Sequence, residues 1–438
     1  MNKLILIMID GISAELFQQR RSWLPHLHRL AAQGTQVQAL TPEVCGTSFP
    51  GRTSMIVGRP ASEHGIYGNK IWDGQEFRWS TPYDVRTPTL AAFAKQAGRD
   101  VAGIGYGMVR PEDCNVYATP WWVDDVMNRA RDEAPHPTDV QWTMKDRELD
   151  PEGRIAKLQA RGIDTQVINP VSDVIADLEE ATGANKAARL SLGMLADSQL
   201  MDIAAGLASS EQAPDLIMLE IGITDYYLHS YGVDHPMTEW SLRTADAQVG
   251  TLIERLQQAG VLDQYNFAIM SDHGHGPMPD AVYCDQLLPE GTRWSSEGGM
   301  LLVAPRSEQE ATEVTQALAS IDIEPWSNHF LPEAQRQELL AFAPPEGKML
   351  SFERDAGGSG NHRGESKYRS NHGMRPGTEA DYRFCLFSGP LVPQSTVPFG
   401  LADQVAPTLA ALMGIPTDWS SQPLFQPSIQ LSDLDLVG

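Results

Sequence analysis

The sequence predicts an α/β protein built as a three-layer α/β/α sandwich around a mostly parallel central sheet. The first observation is that short apolar runs alternate with amphipathic helical patterns, an order typical of parallel sheets covered by helices on both faces. The second is a length of 438 residues, which exceeds the usual size of a single hydrophobic core and favours a large domain with insertions, or two domains. The third is an ordinary globular composition, with 42% hydrophobic and 21% charged residues.

Apolar runs mark the strands of the predicted sheet. The candidates are LILIMI (4–9), DLIMLEIG (215–222), NFAIMSD (266–272) and YRFCLFSG (382–389). Apolar side chains spaced by three and four residues predict the covering helices. These helices are expected over residues 24–34, 88–98, 240–260 and 402–416.

Two segments interrupt this order. Residues 111–197 are rich in charge and tryptophan and contain no run that we assign as a strand, so we expect a lid or a helical elaboration there. Residues 281–365 carry their own strand, helix and strand pattern, which predicts an inserted smaller α/β cap. The catalytic α/β core is then assigned to residues 1–110, 198–280 and 366–438.

The charge balance argues against two classes of partner. The chain has 33 basic and 57 acidic residues, a formal net charge of -24. A nucleic-acid polymer or an anionic membrane surface is therefore not expected as a partner. An anionic small-molecule substrate would need local positive charge.

The sequence gives few signals of location. The apolar run before Asp10 is shorter than the core of a signal peptide, and no run approaches the roughly 20 residues of a membrane span, so we expect a cytoplasmic protein. The four cysteines are far apart and form no Cys-x-x-Cys pair. We therefore expect free, mostly buried thiols rather than disulfides or a thiolate zinc site.

Carboxylates and histidines follow three of the predicted strands, and a further histidine lies in the loop before the fourth. They are Asp10, Asp225, His229, Asp272, His273 and His372. Because the carboxyl ends of parallel strands line one crevice, we expect these side chains to converge. Any one of them alone is more simply a polar residue at the end of a strand. Together they suit a pair of divalent cations with oxygen and nitrogen ligands.

Two adjacent hydroxyls precede a predicted helix in the stretch VCGTSFPGRTSMIVG. Thr47 and Ser48 lie just before a helix expected to begin near Gly51. Free backbone N–H groups at such a helix start favour an anion, such as an alkoxide or a phosphoryl group. The alternative is that either hydroxyl only caps the helix.

The motifs MIDG, TSFPGRTSMIVG, EHGIYGN, DYYLHSYG, SDHGHG and NHG occur in this order. In this respect the sequence resembles the alkaline phosphatase superfamily, and most closely its type I phosphodiesterase/nucleotide pyrophosphatase branch. The resemblance implies an alkaline-phosphatase-like fold. It selects Ser48, which precedes Phe-Pro, as the nucleophile, although many members have threonine there. It also implies that Asn69 donates a hydrogen bond to a phosphoryl oxygen.

The resemblance also implies a ligand set for two zinc ions, with manganese as the alternative metal. One ion would be held by Asp225, His229 and His372. The other would be held by Asp10, Asp272, His273 and the Ser48 oxygen. His362 competes with His372 for the last position, but the residues after His372 match the family context better. His64 and His275 are interpreted as supporting residues.

Aromatic side chains near the nucleophile are candidates for substrate binding. Phe49 matches an aromatic residue that stacks on a nucleotide base, and its alternative interpretation is a core residue. Tyr67 and Trp72 are further candidates for contacts with a base or an organic leaving group.

The expected activity is hydrolysis of phosphodiester or pyrophosphate bonds of small molecules through a phospho-serine, with diesters preferred to monoesters. The first alternative is a phosphomonoesterase or a phosphonate hydrolase, because GIYGNKIWDGQEFRWSTPYDVRTPTL also resembles phosphonoacetate hydrolase. That relative holds its substrate with lysines, where this chain offers only Arg110.

A sulfatase is the third choice, because SFPGR fits a Ser-x-Pro-x-Arg pattern. Against a sulfatase, Asp10 is followed by glycine rather than by a second aspartate. If the protein is not a sulfatase, Arg52 is expected to be a residue of the helix surface. A non-enzymatic metal-binding scaffold is a further alternative. The sequence leaves the oligomeric state open.

Overall fold

The computed structural model describes residues 2–42, 44–122 and 186–428. The strands of these residues are β1 (Lys3–Ile9), β2 (Thr35–Thr41), β3 (Lys70–Trp72), β4 (Phe77–Trp79), β5 (Val101–Ile104), β6 (Val116–Ala118), β7 (Leu216–Ile221), β8 (Tyr265–Met270), β9 (Gly276–Pro277), β10 (Asp280–Tyr283), β11 (Arg293–Ser296), β12 (Leu301–Ala304), β13 (Glu324–Trp326), β14 (Leu340–Ala343), β15 (Ser351–Glu353), β16 (Arg363–Glu365), β17 (Ser370–Asn371), β18 (Arg383–Ser388), β19 (Ser395–Val397) and β20 (Gly400–Leu401).

The α-helices of the same residues are α1 (Ala14–Gln19), α2 (Pro25–Gln33), α3 (Ser48–Ser54), α4 (Ala61–His64), α5 (Leu90–Gln96), α6 (Lys186–Ala208), α7 (Ile223–Tyr231), α8 (Pro236–Gln258), α9 (Cys284–Leu287), α10 (Glu308–Ala319) and α11 (Val405–Met413). Short 3-10 turns lie at Pro82–Asp84, Pro111–Asp113, Leu262–Gln264, Glu333–Gln335, Glu379–Asp381 and Ala402–Gln404.

A nine-stranded sheet forms the centre of the fold, in the order β19-β2-β18-β8-β1-β7-β5-β6, with β20 also paired to β2. β1 pairs in parallel with both β7 and β8. Among the sheet strands of the described residues, only β18 runs against its neighbours, β2 and β8. The four predicted strands are β1, β7, β8 and β18. The prediction of a mostly parallel sheet is therefore confirmed.

The central strands are continuous apolar runs because helices cover both of their faces. Every residue of β7 and β8 is buried. In β1 the side chains alternate: Leu4 and Leu6 join the core beneath α3, α5 and α11, whereas Ile5 and Ile7 join the core beneath α1, α2, α6, α7 and α8. The result is the predicted three-layer α/β/α sandwich.

Two smaller sheets lie in the segment that was predicted to be an inserted cap. One has the order β11-β12-β14-β13 and the other the order β15-β10-β16. Helix α10 packs on the first of them through Val314 and Leu318. The division of the chain into a core, a lid and a cap stays a prediction.

The segment 111–197 differs from expectation where the structure describes it. β6 pairs in parallel with β5 at the end of the central sheet, although we assigned no strand there. Three residues are too few to show a pattern, and the sheet partner decides their conformation. The C-terminal half of α6 packs into the core through Met201 and Ala204. The predicted lid otherwise falls on residues 123–185, outside the described residues.

Two other expectations concern the chain as a whole. All four cysteines are buried free thiols, as predicted. No helix in the described ranges has both the length and the hydrophobicity needed to cross a membrane.

Candidate active site

The loop that carries the predicted nucleophile ends at helix α3, which begins at Ser48 itself rather than near Gly51. Thr47 occupies the N-cap position, but its side chain makes no capping hydrogen bond and is fully buried. Ser48 is partly exposed, and its Oγ lies 3.5 Å from Nε2 of His273. Of the two hydroxyls, only that of Ser48 is both partly exposed and next to a cluster residue.

Asn69 lies beside the start of the same helix. Its side-chain Oδ1 accepts a hydrogen bond of 2.9 Å from the backbone N–H of Phe49, so the amide Nδ2 remains for another acceptor. The backbone N–H of Asn69 donates to Oε2 of Glu297 at 2.7 Å. Burial raises the pKa of Glu297 to about 7, although hydrogen bonds from Asn69 and Lys70 oppose that rise. Glu297 therefore anchors the loop that presents the amide.

The first group of potential metal ligands, here called the histidine-rich cluster, contains Asp225, His229, His275 and His372. Asp225 and His229 lie one turn apart on α7, as their spacing predicts, with Oδ2 and Nε2 3.3 Å apart. His372 follows β17, and its Nε2 lies 4.0 Å from Oδ1 of Asp225. His362, the competing candidate, is exposed in another part of the fold.

His275 is the residue that sequence reasoning undervalued. It was interpreted as a supporting residue, but its Nε2 lies 3.0 Å from Oδ1 of Asp225, and it belongs to the same potential ligand group. Its place two residues after His273 was the available signal. His273 and His275 nevertheless fall into different ligand groups, which the spacing of the motif does not reveal.

The second group, here called the carboxylate cluster, contains Asp10, Asp272 and His273, all buried. Oδ1 of Asp10 lies 3.2 Å from Nε2 of His273. Gly11 follows Asp10 with a φ of +82°, and a Cβ there would lie 2.9 Å from the Leu228 side chain of α7. Glycine at this position therefore lets α7, with Asp225, approach the end of β1.

The alternative interpretation of Arg52 as a residue of the helix surface is wrong, because Arg52 is buried. All residues of α3 except Ser48 are buried, so this helix has no solvent face on which Arg52 could lie. Its guanidinium donates to Oδ2 of Asp10 and to Oδ2 of Asp272, both at 2.6 Å, and to Glu220 at 3.0 Å. The burial of Arg52 could not be predicted from the sequence, because the periodicity of a helix does not show how many of its faces are covered by other parts of the fold. Arg52 thus holds one oxygen of the Asp10 carboxylate and one oxygen of the Asp272 carboxylate in place.

One histidine of each cluster is held in one orientation by a backbone carbonyl. Nδ1 of His229 lies 3.0 Å from the carbonyl of Ser370, and Nδ1 of His273 lies 3.0 Å from that of Gly274. Each Nδ1 must therefore carry the proton, which leaves the Nε2 lone pair directed at the carboxylates. This arrangement is typical of metal-binding histidines.

The protonation states of His273, His372 and Asp225 suit metal binding, which requires neutral imidazoles and ionised carboxylates, whereas burial opposes the ionisation of Asp10 and Asp272. Burial lowers the pKa of His273, and burial together with the neighbouring imidazoles lowers the pKa of His372 well below its usual value. Burial raises the pKa of Asp225, but the neighbouring His229 and His275 lower it by more, so the pKa lies well below the usual range. Burial raises the pKa of Asp10 and of Asp272 to about 7.

Two buried polar atoms show that the clusters fit a cation. In the described part of the chain, Oδ1 of Asp10 and Nδ1 of His372 have no hydrogen-bond partner. Leaving such atoms unpaired costs about 1–3 kcal/mol each. Within each cluster the potential ligand atoms lie within 4.8 Å of one another, which matches atoms that surround one ion. The residues present therefore fit a divalent cation in each cluster.

The predicted substrate-binding aromatics are not exposed. Phe49 is 2% exposed and packs against Trp79 and Trp122, with ring centroids 5.9 and 5.5 Å away. Tyr67 is fully buried, and its hydroxyl oxygen accepts from the backbone N–H of Trp72 at 2.7 Å. The structure thus gives Phe49 the contacts of a core residue. A role of either ring in substrate binding stays a prediction.

Comparisons with known proteins agree with this fold. A family model described as type I phosphodiesterase / nucleotide pyrophosphatase matches residues 4–346. The chain therefore belongs to the type I phosphodiesterase/nucleotide pyrophosphatase family, which is a family of hydrolases.

Solved structures show the same fold at low sequence identity. Murine ectonucleotide pyrophosphatase/phosphodiesterase 5, in an inactive form in complex with AMP, has a TM-score of 0.65 and 15% identity, and the match covers 96% of this chain and 98% of that chain. The human protein of the same name has a TM-score of 0.62 and 15% identity, with 97% of each chain covered.

Proposed function

We propose that this protein is a metal-dependent hydrolase that cleaves phosphodiester or pyrophosphate bonds of nucleotide-like small molecules, with Ser48 as the nucleophile. The observation that carries the proposal is the position of the Ser48 hydroxyl. It is partly exposed at the start of α3, 3.5 Å from Nε2 of His273. Family membership supports phosphodiester hydrolysis as the reaction class.

The two clusters would hold two divalent cations. Asp225, His229 and His372 would bind one, and Asp10, Asp272 and His273 with the Ser48 oxygen would bind the other. Nitrogen and oxygen donors suit zinc, with manganese as the alternative. When bound, such cations supply positive charge that favours the ionised serine hydroxyl and offsets the charge of the phosphoryl oxygens.

Ser48 performs the group transfer. Its Oγ forms a bond to phosphorus while the bond from phosphorus to the leaving oxygen breaks. The serine proton is released, and the leaving oxygen takes up a proton from solvent. A water molecule then cleaves the phospho-serine ester and restores the hydroxyl, so each cycle consumes a single water molecule.

Asn69 supports this transfer as a neutral donor. Because Oδ1 accepts from the backbone of Phe49, Nδ2 is the atom that can donate to a phosphoryl oxygen. A donor that is fixed before the reaction begins stabilises charge that develops in the transition state. The anchor to Glu297 holds the loop in that position.

The charges near the nucleophile favour a diester over a monoester. The loop at Asn69 supplies a single cation, Lys70, whose Nζ lies 5.2 Å from the Trp79 ring centroid. A diester carries one negative charge, which needs fewer compensating cations than the two of a monoester. The murine relative in complex with AMP supports a nucleotide-like substrate. Arg110, the cation considered for phosphonates, donates instead to the carbonyls of Pro82 and Val85.

The test is a panel of substrates for the purified full chain with added zinc or manganese. The panel contains a nucleotide diester, p-nitrophenyl phosphate, a phosphonate and a sulfate ester. We expect the highest kcat/KM for the diester. A higher kcat/KM for any other member would contradict the assignment, and no turnover of any member would favour a non-enzymatic scaffold. The cytoplasmic location stays a prediction that this panel does not address.

A further inference from the structure

The helix that carries two of the potential metal ligands, α7, lacks a cap of its own. Its N-cap residue is Gly222, which has no side chain to accept from the free N–H groups of the first turn. By contrast, Ser13 caps α1 and Ser307 caps α10 with their own hydroxyls. Asp225 lies in the first turn of α7, and helix ends are the parts that fray. The position of this ligand therefore depends on what holds the first turn.

A carboxylate from a different helix takes the place of the missing cap. Oδ2 of Asp197, in α6, accepts a hydrogen bond of 2.9 Å from the backbone N–H of Ile223, and Asp197 is 0% exposed. The other oxygen, Oδ1, accepts from Nε1 of Trp121 at 2.7 Å. Both oxygens of the Asp197 carboxylate are thus held, one by the ligand helix and the other by a side chain that follows β6.

The packing of α6 on α7 permits this contact. Gly193 lies one turn before Asp197, on the same face of α6. A Cβ at Gly193 would lie 2.3 Å from the Ile223 side chain and 2.9 Å from that of Trp121. Because Gly193 has no side chain, α6 can approach the start of α7 closely enough for the short side chain of Asp197 to reach Ile223.

A second cap from a distant helix offers a comparison that involves no potential ligand. Asp246, in α8, is 1% exposed and accepts from the backbone N–H groups of His26 at 3.0 Å and Leu27 at 2.8 Å, in the first turn of α2. The N-cap residue of α2, Leu24, makes no side-chain hydrogen bond to that turn. Asp197 and Asp246 thus make the same kind of contact, but α2 carries no residue of the two clusters.

We propose that Asp197 is a positioning residue for the cation held by Asp225, His229 and His372. This inference rests on the cation-binding part of the proposed function. Asp197 acts through α7 and does not touch the ion. It holds the first turn of the helix, so that the Asp225 carboxylate already faces the His229 imidazole, with Oδ2 and Nε2 3.3 Å apart, before an ion binds. Residues that orient metal ligands in this way typically contribute about 10–100-fold to metal affinity.

The test compares Asp197→Ala with the matched control Asp246→Ala in the full chain. Each variant removes a buried carboxylate that accepts from two N–H groups, so each should lower the urea midpoint of the metal-free protein. Zinc affinity is measured by competition with a chelator at a pH of about 8, because burial raises the pKa of Asp197 to about 7. We expect Asp197→Ala to weaken one of the two sites by about 10–100-fold. The other site, and both sites of Asp246→Ala, should change by less than about threefold.

A substitution of a ligand identifies the weakened site. His229→Ala removes a ligand of the histidine-rich cluster, so this variant should keep only the site of the carboxylate cluster. Adding Asp197→Ala to His229→Ala should then change the affinity of the remaining site by less than about threefold. A loss of about 10-fold or more there would show that Asp197 acts on the carboxylate cluster, which would overturn the proposal.

The remaining outcomes separate this proposal from the proposed function. If the wild type binds zinc and Asp197→Ala weakens neither site more than Asp246→Ala does, Asp197 has only a structural role and the metal-dependent function survives. If the wild type binds less than one equivalent, the proposed function fails and this proposal fails with it. If Asp197→Ala does not fold, Asp197→Asn is compared with Asp246→Asn, because the amide keeps one of the two acceptor oxygens. A loss of affinity at one site of Asp197→Asn alone is then expected, and equal zinc affinities of the two variants would overturn the proposal.

Discussion

Removing the positive charge of Arg52 should cost more stability than the loss of any exposed arginine. Its side chain is 2% exposed, and the carboxylates that it contacts are 6%, 1% and 0% exposed in Asp10, Glu220 and Asp272. Arg52→Met would leave these three buried carboxylates without their cation. Breaking one buried ion pair by removing a partner costs about 3–5 kcal/mol, and we expect a loss of at least that size.

Urea unfolding of metal-free protein, in the presence of a chelator, measures this loss directly. Arg243→Met is the matched control, because its pair with Glu239 is 2.7 Å long but its side chain is 51% exposed. Exposed pairs contribute about 0–1 kcal/mol. Arg52→Lys should fall between the two, since lysine keeps the charge but lacks the planar fork that bridges several carboxylates.

The reasoning fails if Arg52→Met unfolds within about 1 kcal/mol of the wild type, which is the range of an exposed pair. That result would mean that the carboxylates of the carboxylate cluster are compensated in another way. If Arg52→Met does not fold at all, Arg52→Lys carries the comparison, and a loss as small as that of Arg243→Met would contradict the account equally.

Three further predictions concern the nucleophile and its donor. Ser48→Ala should lower kcat by several orders of magnitude and leave the zinc content nearly unchanged. Thr47→Ala should have a mild effect on kcat. A larger loss of kcat for Thr47→Ala than for Ser48→Ala in steady-state kinetics would show that Ser48 is not the nucleophile. Asn69→Ala should lower kcat for a diester by about 10²–10³, the usual effect of deleting one oxyanion donor, and an unchanged kcat would remove Asn69 from the mechanism. Burial raises the pKa of Glu297 from 4.5 to about 7, so its stabilising contribution is complete below pH 4.5 and is lost as the pH rises through 7. The stability of the wild type relative to Glu297→Gln should therefore fall by up to about 3 kcal/mol between these limits in urea titrations, and a difference independent of pH would refute the shift.

The sheet could be predicted from the sequence because its strands are buried on both faces. Such strands appear as continuous apolar runs, and the potential ligand residues follow near their carboxyl ends. Asp10 comes directly after β1, and Asp272 lies two residues after β8. Asp225 and His229 could be paired because the i, i+4 spacing needs only the local helix α7.

The parts that could not be predicted depend on contacts between distant segments. Arg52 was placed on a helix surface because the sequence does not show that α3 is covered on every side. The contact between His275 and Ser370 joins residues that lie 95 positions apart in the chain. β6 has only three residues and exists because β5 offers it a partner.

The central claim is that two cation sites beside Ser48 make this chain a phosphodiesterase. It is tested most directly by titrating apo-protein with zinc while recording both bound metal and hydrolysis of a nucleotide diester. The account predicts two bound equivalents per chain and activity that appears only with bound metal, because the carboxylate cluster adjoins the nucleophile. Full activity in excess chelator after long dialysis, or binding of less than one equivalent, would contradict it.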